Sequence, residues 1–335
     1  IVCTKLNGTS KVICSNGLEV KSLCPAGTLA NECILAYEGG ADAIEAKGTP
    51  NFGSTATTDE GMYAAEDDYG TSYYYRGAVN DNWVQFGTNS SGQSLYWRIV
   101  RINGDGTIRM IYQGVADSET PDSGNITGEG TQIGISAFNS ENRDNMYVGY
   151  MYTSYQVHGL GTNSNIKTTI DNWYASNLVD EAEYLDGSTG FCGDRYPSTS
   201  SSSSNGSGGT GRTQTYYGAY IRLVNSKNPS FKCTDSQDLY TTSGSSTGNA
   251  ALQYPIGLIT ADEVAFAGGV YDSSNTSYYL YFAGGVYDSS NTSYYLYNDA
   301  YYGIWTMSPG NFYLSSANVF VVFGDGDLGY GWLLE

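Results

Sequence analysis

Residues 103–106 read Asn-Gly-Asp-Gly and lie between two runs rich in β-branched and aromatic side chains, 95–102 and 107–112. Asn-Gly and Asp-Gly supply the positive φ angles that a tight turn needs, so the stretch resolves into an antiparallel hairpin. Tyr96, Arg98, Val100 and Ile102 then share one face, and Trp97, Ile99 and Arg101 the other. Asp105 reads as a turn residue, because the further oxygen ligands of a calcium loop do not follow it. β-like runs return near the end, at 303–307, 317–323 and 328–334, with Gly324-Asp325-Gly326-Asp327 as a second turn.

Two helices interrupt the strands. Ile166, Ile170, Trp173, Tyr174 and Leu178 recur at helical spacing behind Ser164, which predicts a helix over 165–178 with Ser164 as its N-cap. Thr260-Ala261-Asp262-Glu263 has the pattern of a capping box and predicts a second, shorter helix near 260–267. Asp262 and Glu263 suit the positive end of that helix dipole, which accounts for the acid pair without catalysis. Residues 36–75 are rich in Gly, Ala, Thr and Asp and read as extended or irregular. The Ser/Gly run 198–211 reads as a surface loop.

Residues 266–281 and 282–297 are identical copies of one sixteen-residue segment. Two copies are too few for a solenoid. The first copy begins inside the expected second helix, so the two copies cannot serve the same structural role.

With 335 residues and 40% apolar content the chain can build a substantial core. Only 15% of residues are charged, and polarity rests on Ser, Thr, Asn, Gly and 32 Tyr. The formal charge is -19, and no Lys or Arg follows Lys232. A nucleic-acid binder needs cations to displace counterions from phosphates, so that class is excluded. An anionic membrane surface is repelled for the same reason. The apolar runs are too short to span a bilayer, so no membrane insertion is expected, and a targeting segment is expected to lie outside this sequence.

The six cysteines are Cys3, Cys14, Cys24, Cys33, Cys192 and Cys233. There is no Cys-x-x-Cys, and His158 is the sole histidine, so a zinc cluster is not expected. Disulfides are expected instead, paired Cys3–Cys14, Cys24–Cys33 and Cys192–Cys233, although six cysteines permit other pairings. They imply an oxidising compartment. Residues 1–35 then form a Cys-rich N-terminal segment ahead of a larger domain, 36–335.

Several ordered stretches carry a resemblance: Asp59-Glu60-Gly61-Met62-Tyr63, Tyr96-Trp97-Arg98-Ile99-Val100-Arg101, Ile170-Asp171-Asn172-Trp173-Tyr174, Phe191-Cys192-Gly193-Asp194-Arg195 and Trp305-Thr306-Met307-Ser308-Pro309. Together they resemble a family of uncharacterised exported bacterial surface proteins whose C-terminal part is similar to the C-type-lectin-like fold of formylglycine-generating enzymes. The resemblance implies an α+β, C-type-lectin-like domain with two helices, a mostly antiparallel sheet and long irregular loops. It also implies a Cys192–Cys233 pair. The chain departs from those relatives in having no late catalytic cysteines, no calcium-dependent sugar motifs and no Gly-Val-Arg-Pro-like closing strand.

No Ser-His-Asp or Cys-His set stands out, and His158 reads as an isolated surface or packing residue, so a non-catalytic role is expected. A carboxylate-dependent hydrolase is the remote alternative. Recognition or adhesion at the bacterial cell surface, through loops dense in Tyr, Asn and Ser, is the leading expectation. Tyr301, Tyr302, Trp305, Asn311, Phe312 and Tyr313 are its candidate binding residues. Partners are then a protein or glycan ligand, or copies of the chain itself in an extracellular filament, for which an open sheet edge would serve. No cofactor is expected beyond calcium, for which Asp325 and Asp327 are weak candidates.

Overall fold

The structure, a computed structural model, describes residues 3–5, 11–14, 19–21, 27–116, 128–198, 214–245, 248–271, 294–296, 303–313, 316–323 and 327–333. The fold is α+β, built on antiparallel sheets with helices packed against them.

The hairpin expected from Asn103–Gly106 is the axis of the first sheet. Strand Ser94–Ile102 pairs with Ile108–Ala116 on one edge. Its other edge is shared by Thr71–Gly77 and Trp83–Thr88, and Asp59–Glu66 pairs beyond Thr71–Gly77. Every residue from Leu95 to Ile102 is buried, so both faces of the strand are covered, arginines included. The region 36–75 is more regular than its composition suggests: it holds helix Ala41–Glu45 and two of these strands. Just beyond it, a small residue makes way for a neighbour. Gly77, at φ 90°, sits where a Cβ would meet the Thr58 carbonyl oxygen.

The second sheet runs Gln214–Tyr216, Ile304–Tyr313, Ser316–Val322, Leu328–Trp332. Strand Ile304–Tyr313 is longer than expected because irregularities on either side of Pro309 absorb a residue that cannot donate to the ladder. The last strand is not a bare edge at either end. Leu328 N–H donates to the Val270 carbonyl, and Asn139 N–H to the Leu333 carbonyl.

Helix Ala261–Ala267 lies between the sheets with all of its residues buried. Seven residues do not hold a helix in water, so burial and caps must do it. Thr260 Oγ1 accepts from Glu263 N–H at 3.1 Å and Glu263 Oε2 from Thr260 N–H at 2.9 Å, which is the expected capping box. At the other end Arg76, 2% exposed, donates to the carbonyls of Ala265 and Phe266. A cation on the last carbonyls opposes the negative end of the dipole. Around this helix, Met62, Tyr75 and Ile99 of the first sheet meet Phe320 and Val322 of the second.

Helix Asn165–Asn177 begins as expected, with Ser164 Oγ accepting from Lys167 N–H at 3.2 Å. Ile166 and Ile170 pack with Phe138, Met307 and Val319. Tyr174 and Leu178 pack with Leu95 and Trp97. Lys167 and Asp171, one turn apart, form a buried ion pair that the apolar stripe does not announce.

At the N-terminus Cys3–Lys5, Lys11–Cys14 and Glu19–Lys21 form a three-stranded sheet in which Cys3 and Cys14 are register partners. Helix Ala30–Tyr37 runs across the boundary expected at residue 35. The Cys192–Cys233 disulfide is present, with an S–S distance of 2.00 Å. Cys24 and, apart from Ser198, the Ser/Gly run lie outside the described residues. Of the tandem repeat, Phe266–Tyr271 of the first copy and Tyr294–Leu296 of the second are described, and both are packed in the core.

Candidate recognition site

The chemistry-bearing residues gather in two places. The first is a narrow cleft between the sheets, lined by Asp67, Asp68, Arg101, Arg109, Arg222 and Glu263 among others. Arg101 bridges Asp67 at 2.8 Å and Glu263 at 3.1 Å. Arg109 Nε lies 3.2 Å from the same Glu263 oxygen, in an ion pair without the alignment of a hydrogen bond. Arg222 bridges Asp194 at 2.6 Å and Asp262 at 2.7 Å. Burial pushes the Glu263 carboxyl up, but Arg109, Arg101 and the Thr260 N–H outweigh it and hold it below its ordinary range. The acid pair of the capping box therefore also ties the helix to the first sheet, through Arg101 and Arg109, and to the segment Ile221–Ser226, through Arg222. Each of Asp67, Glu263, Asp194 and Asp262 thus faces at least one guanidinium, so these charges of the cleft are paired. Asp68, at the rim, is pushed up by burial, and its carboxylate accepts from the Cys233 N–H.

The cations inside have a consequence outside. Arg76, Arg98, Arg101, Lys167 and Arg195 are all buried, so a chain with a formal charge of -19 presents still fewer of its cations to solvent.

The second place is the hairpin formed by Met151–Tyr152 and Thr162–Asn163. Its turn projects Tyr155, 80% exposed and held at φ 62°. A bulky side chain rarely adopts that backbone region, so the turn is kept against a steric cost. The surroundings explain how. Gln156 N–H donates to the Thr153 carbonyl, and Gly161 N–H to Thr153 Oγ1 at 2.8 Å. Gly159 lets the returning chain close on Thr153, where a Cβ would come within 2.4 Å. Tyr152 packs against Tyr147, and Tyr196, 42% exposed, stacks on His158. The hairpin side therefore presents several tyrosines on a strongly fastened frame.

His158 is not isolated, as its place in the sequence suggests. Its Nδ1 is 2.9 Å from Asp238 and its Nε2 is 3.6 Å from Asp235, both supplied by a segment some 80 residues on. No local spacing rule announces that meeting.

The residues expected to bind are placed differently from one another. Asn311, Phe312 and Tyr313 belong to the long strand of the second sheet and not to a loop. Phe312 is 2% exposed and packed in the core. Trp305 is partly buried against Phe138, and its indole N–H donates to the Ser136 carbonyl at 2.9 Å. Asn311 accepts from Asn318 across the ladder at 2.9 Å. Tyr313, 46% exposed, alone of these four faces solvent. Tyr301 and Tyr302 lie outside the described residues, as does Asp325. Asp327 is buried. Asp105 caps its own turn, accepting from Thr107 N–H at 3.0 Å, and also accepts from the Thr189 hydroxyl at 2.6 Å.

Among the described residues no group of three or more His, Cys, Asp or Glu is arranged to hold a metal ion, and no helix is long and apolar enough to cross a membrane. Compared with known proteins, the chain matches no family model, no curated protein and no solved structure.

Proposed function

We propose that the chain is an exported bacterial cell-surface protein, C-type-lectin-like in architecture, whose role is recognition or adhesion and not catalysis. Tyr155 carries the reading. A large aromatic side chain kept at high exposure, on a backbone that costs energy to maintain, is unexpected unless its presentation is useful. Tyrosine provides contact area at low entropy cost, with a hydroxyl for hydrogen bonding. Tyr196 and Tyr152 extend the same kind of surface. The Cys192–Cys233 bridge supports an oxidising location. The matched ion pairs of the cleft support a structural role for its charges. The ligand class is a neutral or basic polar molecule, a glycan or peptide, because the net charge disfavours polyanions.

The test is a glycan and peptide array probed with the disulfide-intact protein, followed by titration of any hit. Binding that weakens at least about 10-fold in Tyr155→Ala and Tyr196→Ala, with folding unchanged, is the expected result; truncating an aromatic anchor costs upward of about 1.4 kcal/mol. Binding that is insensitive to both substitutions removes this surface from consideration.

A further inference from the structure

The core seats Tyr294-Tyr295-Leu296, and the same three residues stand sixteen positions earlier as Tyr278-Tyr279-Leu280. The seat is built by residues outside both triplets. Tyr295 N–H donates to the Gly77 carbonyl at 2.9 Å. Gly268 and Gly269 leave room for Tyr294: a Cβ on Gly268 would stand 3.0 Å from Tyr294 Cβ, and one on Gly269 3.1 Å from its hydroxyl oxygen. All three seated residues belong to the cluster in which helix Ala261–Ala267 meets both sheets. Identical side chains fill such a seat with identical contacts, whichever copy supplies them.

The head of the repeat has no such choice. Phe266 and Ala267 complete the helix that Thr260 and Glu263 cap, and Arg76 holds the Phe266 carbonyl. Phe282, the counterpart of Phe266, follows Tyr278-Tyr279-Leu280-Tyr281, which offers neither cap nor acid. The head is therefore fixed to the first copy, while no local signal ties the triplet to the second.

The connections suit both triplets. With Tyr294–Leu296 seated, residues 272–293 precede the seat and 297–302 follow it. With Tyr278–Leu280 seated, 272–277 precede it and 281–302 follow. The long and the short connection exchange places at unchanged lengths, so the entropy of closing them is the same to first order. The short one reaches in either position. Residues 297–302 already join the seat to the second sheet, and Gly268, beside Tyr294, stands three residues before Tyr271.

We propose that the seat exchanges between the two triplets, so that the chain populates two registers whose weights lie within about 10-fold of each other. In one register the long connection lies between the helix and the seat; in the other it lies between the seat and the second sheet. A ligand that grips the long connection in one register draws the population to it. The exchange does not rest on the tyrosine surface acting in recognition.

The experiment is urea unfolding of the whole protein and of Leu280→Ala, Leu296→Ala and the double variant, with the leucine methyl resonances of the parent recorded alongside. The double variant takes the leucine from the seat in both registers and should lower the folding constant by at least about 30-fold. Each single variant leaves one intact triplet. It should lower the constant by about 2-fold when the registers are equal, and by at most about 10-fold otherwise. In the parent, Leu280 and Leu296 should each give a core and a solvent methyl signal, or signals averaged between the two. Deleting residues 272–287 should leave a single core set. A Leu296→Ala loss equal to that of the double variant, with Leu280→Ala silent, overturns the proposal. So does a parent in which Leu296 gives only the core signal and Leu280 only the solvent signal.

Discussion

Arg101 and Glu263 stand 162 residues apart in sequence and 3.1 Å apart in space. One carboxylate thereby closes a helix cap with one oxygen and receives the guanidinium groups of a sheet with the other. The helix between the two sheets is held at its N-terminus by Glu263 and at its C-terminus by Arg76, so short-range capping and long-range pairing converge on seven residues.

That arrangement predicts an order of stabilities. Thr260→Ala removes only the cap and costs about 1 kcal/mol. Glu263→Ala also strands Arg101 and Arg109 without their shared partner, and breaking one side of a buried pair costs about 3–5 kcal/mol. Urea unfolding of the two variants measures this directly, and equal losses would mean that the arginines find other partners.

The pH dependence follows from two opposed groups of carboxyls. Glu263, Asp105 and Asp186 are held below their ordinary values; for each, burial pushes upward and is outweighed, by Arg109 and Arg101 for Glu263 and by hydroxyl and N–H donors for the others. Their contribution is present above the unfolded carboxyl value of about 4 and is lost as pH falls through their lower folded values. Glu38, Asp68 and Asp81 are pushed up, chiefly by burial. Their contribution is present below the unfolded value and is lost as pH rises through their higher folded values. In the interval just above about pH 5, past the unfolded value, only the second of these two groups of carboxyls is still changing, so thermal melts should show a lower Tm as pH rises. A Tm that rises over that interval contradicts the assignment.

Tyr155→Gly separates stability from recognition. Glycine accepts the positive φ without the steric cost, so the variant should be at least as stable as the parent, by up to about 1 kcal/mol. The same change should abolish the binding attributed to the tyrosine surface. Loss of stability with binding retained would show that Tyr155 serves the fold.

The tandem repeat gives a deletion test. Gly268, in the first copy, packs so closely on Tyr294, in the second, that a Cβ there would meet the Tyr294 Cβ at 3.0 Å. The head of one copy and the tail of the other thus occupy the core together, as one complete copy would. Deleting residues 272–287 joins Tyr271 to Asp288 and regenerates a single intact copy. Tyr294 lies beside a residue only three positions before Tyr271, so the shortened connection reaches. The deletion should preserve the fold and, through the smaller closure entropy, add about 1 kcal/mol. Collapse of the cooperative melt would show that the core requires both copies.

Some of this architecture was legible in the sequence because its causes are local. The Asn-Gly-Asp-Gly turn, the Ser164 cap and the Thr260–Glu263 box depend on neighbouring residues competing for the same backbone groups, and each stands where its spacing places it. The hairpin and the helices Asn165–Asn177 and Ala261–Ala267 follow from the same short range, whereas Ala30–Tyr37 and Ala41–Glu45 go beyond the two helices expected. The run expected over 303–307 continues to Tyr313, because irregularities on either side of Pro309 absorb a residue that cannot donate to the ladder.

What only the tertiary structure decided is where charge and exposure go. Pairing of Arg101 with Glu263, of Arg222 with Asp194 and Asp262, and of His158 with Asp235 and Asp238 joins residues whose separation no periodicity encodes. Phe312 and Trp305 look in sequence like the aromatics of a binding loop, and the second sheet turns them inward. Tyr155 looks like one of 32 tyrosines until the turn at Thr153 lifts it out. Local propensity depends on a few bonds along the chain, whereas burial and ion pairing depend on which distant segments the packed core brings together.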